Sequence, residues 1–147
     1  MQSTARIRIE VADWEKDAQI LRSIREAVFV AEQRVPMELE WDGLDPDCTH
    51  VIAYVEGDLP VATGRLLDDG HIGRLAVLRP WRGRGIGSQV LHTLMAIAES
   101  KGIGTCALNA QTHAVVFYER HGFVAEGEEF DDAGIAHRHM VLKNTND

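Results

Sequence analysis

Apolar and polar residues alternate from Arg6 to Val11, the period-two rhythm of a half-buried strand, and Asp13 then stands where a helix needs its first cap. Ile20, Ile24 and Val28 recur at four-residue spacing and predict that helix. Pro36 and the acidic residues after it break the rhythm into a loop or a short second helix. Three apolar runs follow, Val51 to Glu56, Val61 to Leu67 and Ile72 to Leu78. The turn signals between them, Glu56-Gly57-Asp58 and Asp68-Asp69-Gly70, predict an antiparallel meander. Ile86, Val90, Leu94 and Ile97 then mark one face of a helix that Gly102 ends, and Thr105 to Ala110 reads as the next strand. A helix from about Thr112 to His121, closed by Gly122, precedes strands around Val124 to Phe130 and Ile135 to Leu142. The strand-helix-strand order implies a right-handed crossover that lays the Thr105 strand parallel to the Ile72 strand. The expected class is α/β (α+β), with a mixed, mostly antiparallel sheet flanked by helices.

The 147 residues suit one domain spanning 1–147, with no linker, repeat or low-complexity stretch. A chain of this length buries about two-thirds of its unfolded surface and needs no covalent staple. Cys48 and Cys106 are the only cysteines and form no C-x-x-C pair, which fits a reduced compartment. The charged N-terminal alternation is neither a signal nor a transit sequence, and no run is long enough to span a bilayer, so a cytoplasmic protein without membrane contact is expected. The net charge of -8 argues against a nucleic-acid partner. Arg65, Arg74, Arg79, Arg82 and Arg84 concentrate in one stretch, whereas Glu38, Glu40, Asp42, Asp45 and Asp47 crowd another. That separation suggests an anion-binding end and an acidic wall that either serves solubility or attracts a cationic substrate.

The arginine-rich stretch has its own chemistry. An apolar strand, Arg74-Leu75-Ala76-Val77-Leu78, runs through Arg79-Pro80-Trp81 into Arg82-Gly83-Arg84-Gly85-Ile86-Gly87-Ser88 at the start of a helix. Glycines let backbone amides approach an anion closely, and a helix N-terminus aims unpaired N–H groups at it. A diphosphate-bearing ligand fits. The dinucleotide fingerprint G-x-G-x-x-G fails because Ser88 stands where its last glycine belongs, and a Walker loop fails because no lysine lies between Lys16 and Lys101.

The remaining pattern, Arg82-x-x-Gly85-x-Gly87, resembles the pyrophosphate loop of the GNAT superfamily of coenzyme A-dependent N-acyltransferases. Downstream, Ala114-Val115-Val116-Phe117-Tyr118-Glu119-Arg120-His121-Gly122-Phe123 resembles the superfamily's second signature, A-x-x-F/L-Y-x-x-x-G-F. Two further segments, Val28 to Pro36 and Gly127 to Met140, are similar to a subgroup of small bacterial members. The resemblance implies a splayed central pair of parallel strands with the pantetheine arm in the gap, its amides paired with the backbone of Leu75, Ala76 and Val77. It places the diphosphate on the amides of Arg82, Gly83, Arg84, Gly85, Ile86, Gly87 and Ser88, with the arginine side chains around it. Phe117 is a further implied cofactor contact. Many members carry asparagine three residues before the motif alanine; here Gln111 stands there and Asn109 two residues earlier, so either amide is a candidate for that contact.

Acyl transfer to an amine needs a neutral amine, a hydrogen-bond donor for the developing oxyanion and a proton for the departing thiolate. By the resemblance, Tyr118 is the proton donor, the catalytic general acid, and the Val77 N–H is the oxyanion donor. The base is left open among His50, His71, His137, Glu32, Glu40, Asp42, Glu129 and a water relay. No metal is expected: His137 and His139 share a strand face without a placed carboxylate, and the acidic stretch lacks calcium-loop register. Cys106 reads as small buried filler in a strand and Cys48 as a loop residue. The implied activity is N-acetyl transfer from acetyl-CoA, as co-substrate, to a primary amine of a small molecule or a peptide by direct attack. The alternative is a non-catalytic acyl-CoA sensor. The acceptor and oligomeric state stay open, although homodimers are common in the superfamily.

Overall fold

The computed structural model describes residues 6–143. Strand β1 (Ile7–Ala12) leads to helix α1 (Trp14–Arg25), whose first turn is capped by the Asp13 carboxylate accepting from Glu15 N–H at 2.9 Å. The helix does not stop at Arg25. It continues as a wider π-helical segment, Glu26–Glu32, closed by Gln33 N–H donating to Val28 O at 3.0 Å. A short α2 (Met37–Glu40) follows, then the meander β2 (Thr49–Val55), β3 (Leu59–Leu66) and β4 (Ile72–Val77). Helix α3 (Ile86–Ser100) crosses to β5 (Thr105–Gln111), and α4 (Val115–Glu119) precedes the final hairpin β6 (Val124–Asp132) and β7 (Ile135–Lys143).

The strands form two antiparallel sheets, ordered β1-β2-β3-β4 and β5-β7-β6. Ala76 packs with Ile24 and Val28 of α1, while its neighbours Leu75 and Val77 join the core under α3, so the two helices cover opposite faces of the first sheet. With both faces covered, β2 and β3 read as nearly continuous apolar runs instead of an alternation.

The parallel pairing of β4 with β5 is reduced to one bridge, His71 with Ala107, clasped by Ala107 N–H donating to Gly70 O at 3.0 Å. Beyond it the strands part. The cause lies in β4: Thr63 pairs with Ala76 and Arg65 with Gly73, so Gly64 opposes both Arg74 and Leu75, and Arg74 takes the left-handed conformation with φ 51°. Such a bulge bends its strand and ends regular pairing. Gly64 also admits α3, since a Cβ there would lie 2.9 Å from Leu94 Cδ1.

Gly70 holds the clasp together. It adopts φ +100°, and a Cβ would overlap the Thr105 carbonyl oxygen, a backbone atom that cannot turn aside. Gly70→Ala is expected to cost about 2 kcal/mol through overpacking and left-handed strain. A lower urea midpoint with unchanged slope checks it; an unchanged midpoint would show that the clasp is slack. The other departure is the segment expected as one helix from Thr112 to His121. It divides into a 3₁₀ turn, Thr112–Ala114, and the short α4, which meet at Ala114 with φ -100° and ψ -2°.

Candidate functional site

The gap between β4 and β5 opens into a cavity of about 530 Å³. Leu75 and Arg74 of β4 line it, as do Leu108, Asn109 and Gln111 of β5, Phe29 and Gln33 from the end of α1, Tyr118 of α4, and His137 of β7. Leu78 N–H donates across to Val61 O at 2.9 Å, so strand alternation turns the Val77 N–H and C=O away from β3, toward the gap. There Val77 O accepts from Arg82 Nε at 2.8 Å.

The glycine turn stands at one end of β4. Gly83 (φ 75°) and Gly85 (φ 80°) both need the left-handed region that only glycine enters freely, and a Cβ on either would point into open space. No side chain caps α3, and its first backbone bond is Gln89 N–H to Gly85 O at 3.2 Å. The donors of Ile86, Gly87 and Ser88 therefore precede the helix's own ladder, an arrangement suited to a diphosphate.

The arginines are differently employed than their spacing suggests. Arg82 forms a fork to Glu32 at 2.6 and 2.7 Å, Arg79 reaches the same carboxylate at 3.1 Å, and Arg84 stacks over Trp81 at 4.8 Å. Hydrogen bonds from Arg82 lead the effects that pull the Glu32 carboxyl down to about 2. These contacts tie the turn to the end of α1. Arg82 thus braces the turn, a contact that the expected arginine cradle did not include.

The expected separation of positive and acidic ends is also corrected. Arg65 and Arg74 sit among the acidic residues: Arg65 pairs with Asp42 and Asp45, Arg74 with Glu40 and Asp42, and Arg25 with Glu40 and Asp45. Burial pushes Asp42 upward, but Arg65, the Leu44 N–H and the Arg74 charge outweigh it and hold the carboxyl at about 2. Most of the acidic wall is thus neutralised from within. Asp132 is the cavity carboxylate without an ion pair among the described residues.

Tyr118 faces the cavity with its ring edge-on to Phe117 (5.0 Å) and Phe123 (6.0 Å). Burial pushes its phenol up to about 12, and the hydroxyl has no hydrogen-bond partner among the described residues. Gln111 Nε2 donates to Gln33 Oε1 at 2.6 Å, while Asn109 Oδ1 accepts from His139 Nδ1 at 3.0 Å. Sequence reading missed Gln33, although it lies in the Val28 to Pro36 segment that carried part of the resemblance.

Geometry thins the list of bases. Glu32, Glu40 and Asp42 are committed to arginines, His50 is buried against the Trp14 ring with Nε2 at 2.9 Å from Asp45 O, and Glu129 does not line the cavity. His71 and His137 remain on the wall. His71 Nδ1 lies 3.0 Å from Asp69 Oδ1, and His137 Nδ1 donates to Ile135 O at 2.7 Å. Cys106 is fully buried in the core, and Cys48 Sγ donates to Leu44 O. Among the described residues no helix is long and apolar enough to cross a membrane, and no three metal-ligating side chains gather.

A bulged, splayed strand pair with an uncapped glycine turn at its mouth defines an acyltransferase of the GNAT class. The family model for the acetyltransferase (GNAT) domain matches residues 15–144, and the chain belongs to that family. It is 42% identical over 122 residues, 80% of this chain and 86% of the relative, to the Bacillus subtilis protein named Uncharacterized N-acetyltransferase YjcF. Among solved structures it resembles an acyl-CoA N-acyltransferase from Pseudomonas aeruginosa (31% identity, TM-score 0.81, covering 92% of this chain and 99% of that one). Escherichia coli ElaA is similar as well (27% identity, TM-score 0.83, covering 92% and 99%).

Proposed function

We propose that the protein is an acetyl-CoA-dependent N-acetyltransferase acting on a primary amine of a small molecule or peptide. The observation that carries the reading is the unpartnered Tyr118 hydroxyl at the cavity between β4 and β5, with the uncapped turn at Gly85 following the end of β4. When bound, acetyl-CoA supplies the thioester whose acyl carbon is open to a neutral amine. The amides from Arg82 to Ser88 hold the diphosphate, the backbone at Leu75, Ala76 and Val77 positions the pantetheine arm, and the Val77 N–H donates to the oxygen that gains charge. Phe117 and one of the amides Asn109 or Gln111 complete the contacts. Tyr118 delivers its proton to the departing thiolate. Asp132 offers an ammonium group an uncompensated carboxylate at the cavity wall, which supports a cationic acceptor.

His137 is the base this arrangement favours. Its Nδ1–H is spent on Ile135 O, so the neutral ring presents the Nε2 lone pair from a buried position on the cavity wall. His137→Asn is expected to lower kcat/KM about 10²-fold near neutral pH. The deficit shrinks as pH rises toward the amine's own pKa, because the acceptor then deprotonates without help. A pH profile of the same depth in His71→Asn, with His137→Asn at wild-type rate, would transfer the role to His71. The reading as a whole is tested by thiol release from acetyl-CoA with polyamines, aminoglycosides, amino acids and peptides. Turnover on one amine class supports it; tight binding without turnover on any favours a sensor.

A further inference from the structure

Behind the first turn of α3, three side chains form a hydrogen-bonded chain that acyl transfer leaves unused. Ser88 Oγ lies 3.1 Å from His121 Nε2, and His121 Nδ1 lies 2.8 Å from His92 Nε2. Local sequence brings them together. Ser88 and His92 are four residues apart on one face of α3, and His121 follows α4 just before Gly122, whose φ of 94° ends the turn. Phe117 holds the His121 ring edge-on at 5.0 Å, and the two imidazoles meet edge to face at 4.7 Å.

No carboxylate or guanidinium shares this chain. From α3 the rings meet Ser88, and from α4 they meet Phe117; among the described residues no hydrogen bond or ion pair joins Glu119 or Arg120 to either imidazole. In the adjoining turn, Arg82 and Arg79 are directed at Glu32 and Arg84 at Trp81. Burial first, then the neighbouring His92, depress the pKa of His121, so that ring is neutral at neutral pH with no anion nearby.

The placement of protons decides what Ser88 can offer. When Nε2 of His121 carries the hydrogen, it donates to Ser88 Oγ, His121 Nδ1 accepts from His92 Nε2–H, and the Ser88 hydroxyl donates outward. In the opposite polarity, which carries the same number of protons, Ser88 spends its proton on His121 and presents only lone pairs, which repel a phosphate oxygen. A proton added to the imidazole pair removes that polarity, because whichever ring holds the proton, His121 Nε2 then carries a hydrogen and donates to Ser88 Oγ. We propose that His92 and His121 form a proton-responsive relay that turns the Ser88 hydroxyl onto the cofactor's diphosphate, so that cofactor binding takes up a proton. This rests on the reading that the diphosphate occupies the amides at Arg82 to Ser88. His92 and His121 are positioning residues acting through Ser88.

The sign follows from linkage. An anion beside the relay raises its proton affinity, so the added binding energy is fully present below the relay's ligand-free pKa. It is lost as pH rises through the higher, ligand-bound pKa. The test ligand is 3′-dephospho-CoA, whose diphosphate does not titrate between pH 6 and 8. Calorimetry in two buffers of different ionisation enthalpy reads proton uptake directly. Affinity is expected to fall about fivefold from pH 6 to pH 8, the part of a one-unit pKa change that this window spans. Wild type is expected to take up protons, whereas His92→Phe, at an exposed position of α3, and His121→Gln, which keeps an N–H for Ser88, flatten the profile. S-acetylpantetheine, which lacks the diphosphate, is expected to give a pH-flat KM relative to the same variants. Binding of 3′-dephospho-CoA with no proton uptake, or a pH slope retained in both variants, would overturn the relay alone. No binding at any pH would overturn the diphosphate reading and the relay with it.

Discussion

Tyr118→Phe is expected to lower kcat about 10³-fold while the affinity for acetyl-CoA stays within about twofold. The substitution removes only the hydroxyl. The ring keeps its edge contacts with Phe117 and Phe123, so packing and cofactor placement survive. Because burial pushes the phenol up to about 12, its donor form persists across the whole assay range. Loss of the proton donor should therefore depress the rate at every pH without moving the profile. A base variant such as His137→Asn behaves differently, since its deficit closes at alkaline pH. The measurement is steady-state kinetics from about pH 6 to about pH 10 with a strong acceptor, alongside equilibrium binding of CoA. A rate within threefold of wild type would remove Tyr118 from the chemistry. It would return the departing thiolate's proton to water.

What the sequence made legible is what local chemistry determines. The turn at Gly83 and Gly85 declares itself because the left-handed backbone both adopt demands glycine, and the strands of the meander are bracketed by Gly57 and Gly70. The splay of β4 from β5 came only through the resemblance, since its physical cause is a bulge at Arg74 that no hydrophobic pattern marks. Charge spacing misled for a related reason. Arg25, Glu40 and Asp45 meet across intervals of 15 and 20 residues, so a one-dimensional tally of acids and bases sees two opposed ends where the fold builds one neutral network. The role of Glu32 was hidden likewise, as its partner Arg82 lies 50 residues away. The π-helical end of α1 left no periodic trace either, because its widened turn shifts Phe29 and Gln33 toward the cavity without changing composition.

That network carries the largest expected effect on stability. Arg25→Met should destabilise the fold by about 3–5 kcal/mol, the cost of breaking a buried ion pair from one side. Arg25 is 1% exposed; its guanidinium donates to Glu40 Oε2 at 2.7 Å, Asp45 Oδ1 at 2.8 Å and Glu40 O at 3.1 Å, and it lies 4.9 Å from the Trp41 ring. Methionine fills the volume but abandons two carboxylates in a site where water cannot replace the lost donors. The pH dependence identifies the cause. In wild type, burial works to raise Asp45 but the hydrogen bond from Arg25 leads the effects that lower it, so its stabilising contribution is present above the unfolded pKa and lost as pH falls through the folded one. In Arg25→Met that lowering is removed, and acidification from neutrality should relieve the stranded charges and narrow the gap to wild type. Adding Glu40→Gln or Asp45→Asn should recover part of the loss for the same reason. Urea unfolding at about pH 7 and about pH 5 reads both effects. A deficit below about 1 kcal/mol, equal at the two pH values, would mean that Arg65 and Arg74 satisfy the carboxylates without Arg25. Because Glu40 and Asp42 also wall the cavity, the destabilised variant should lose acceptor affinity before it loses the β4 edge on which the cofactor reading depends.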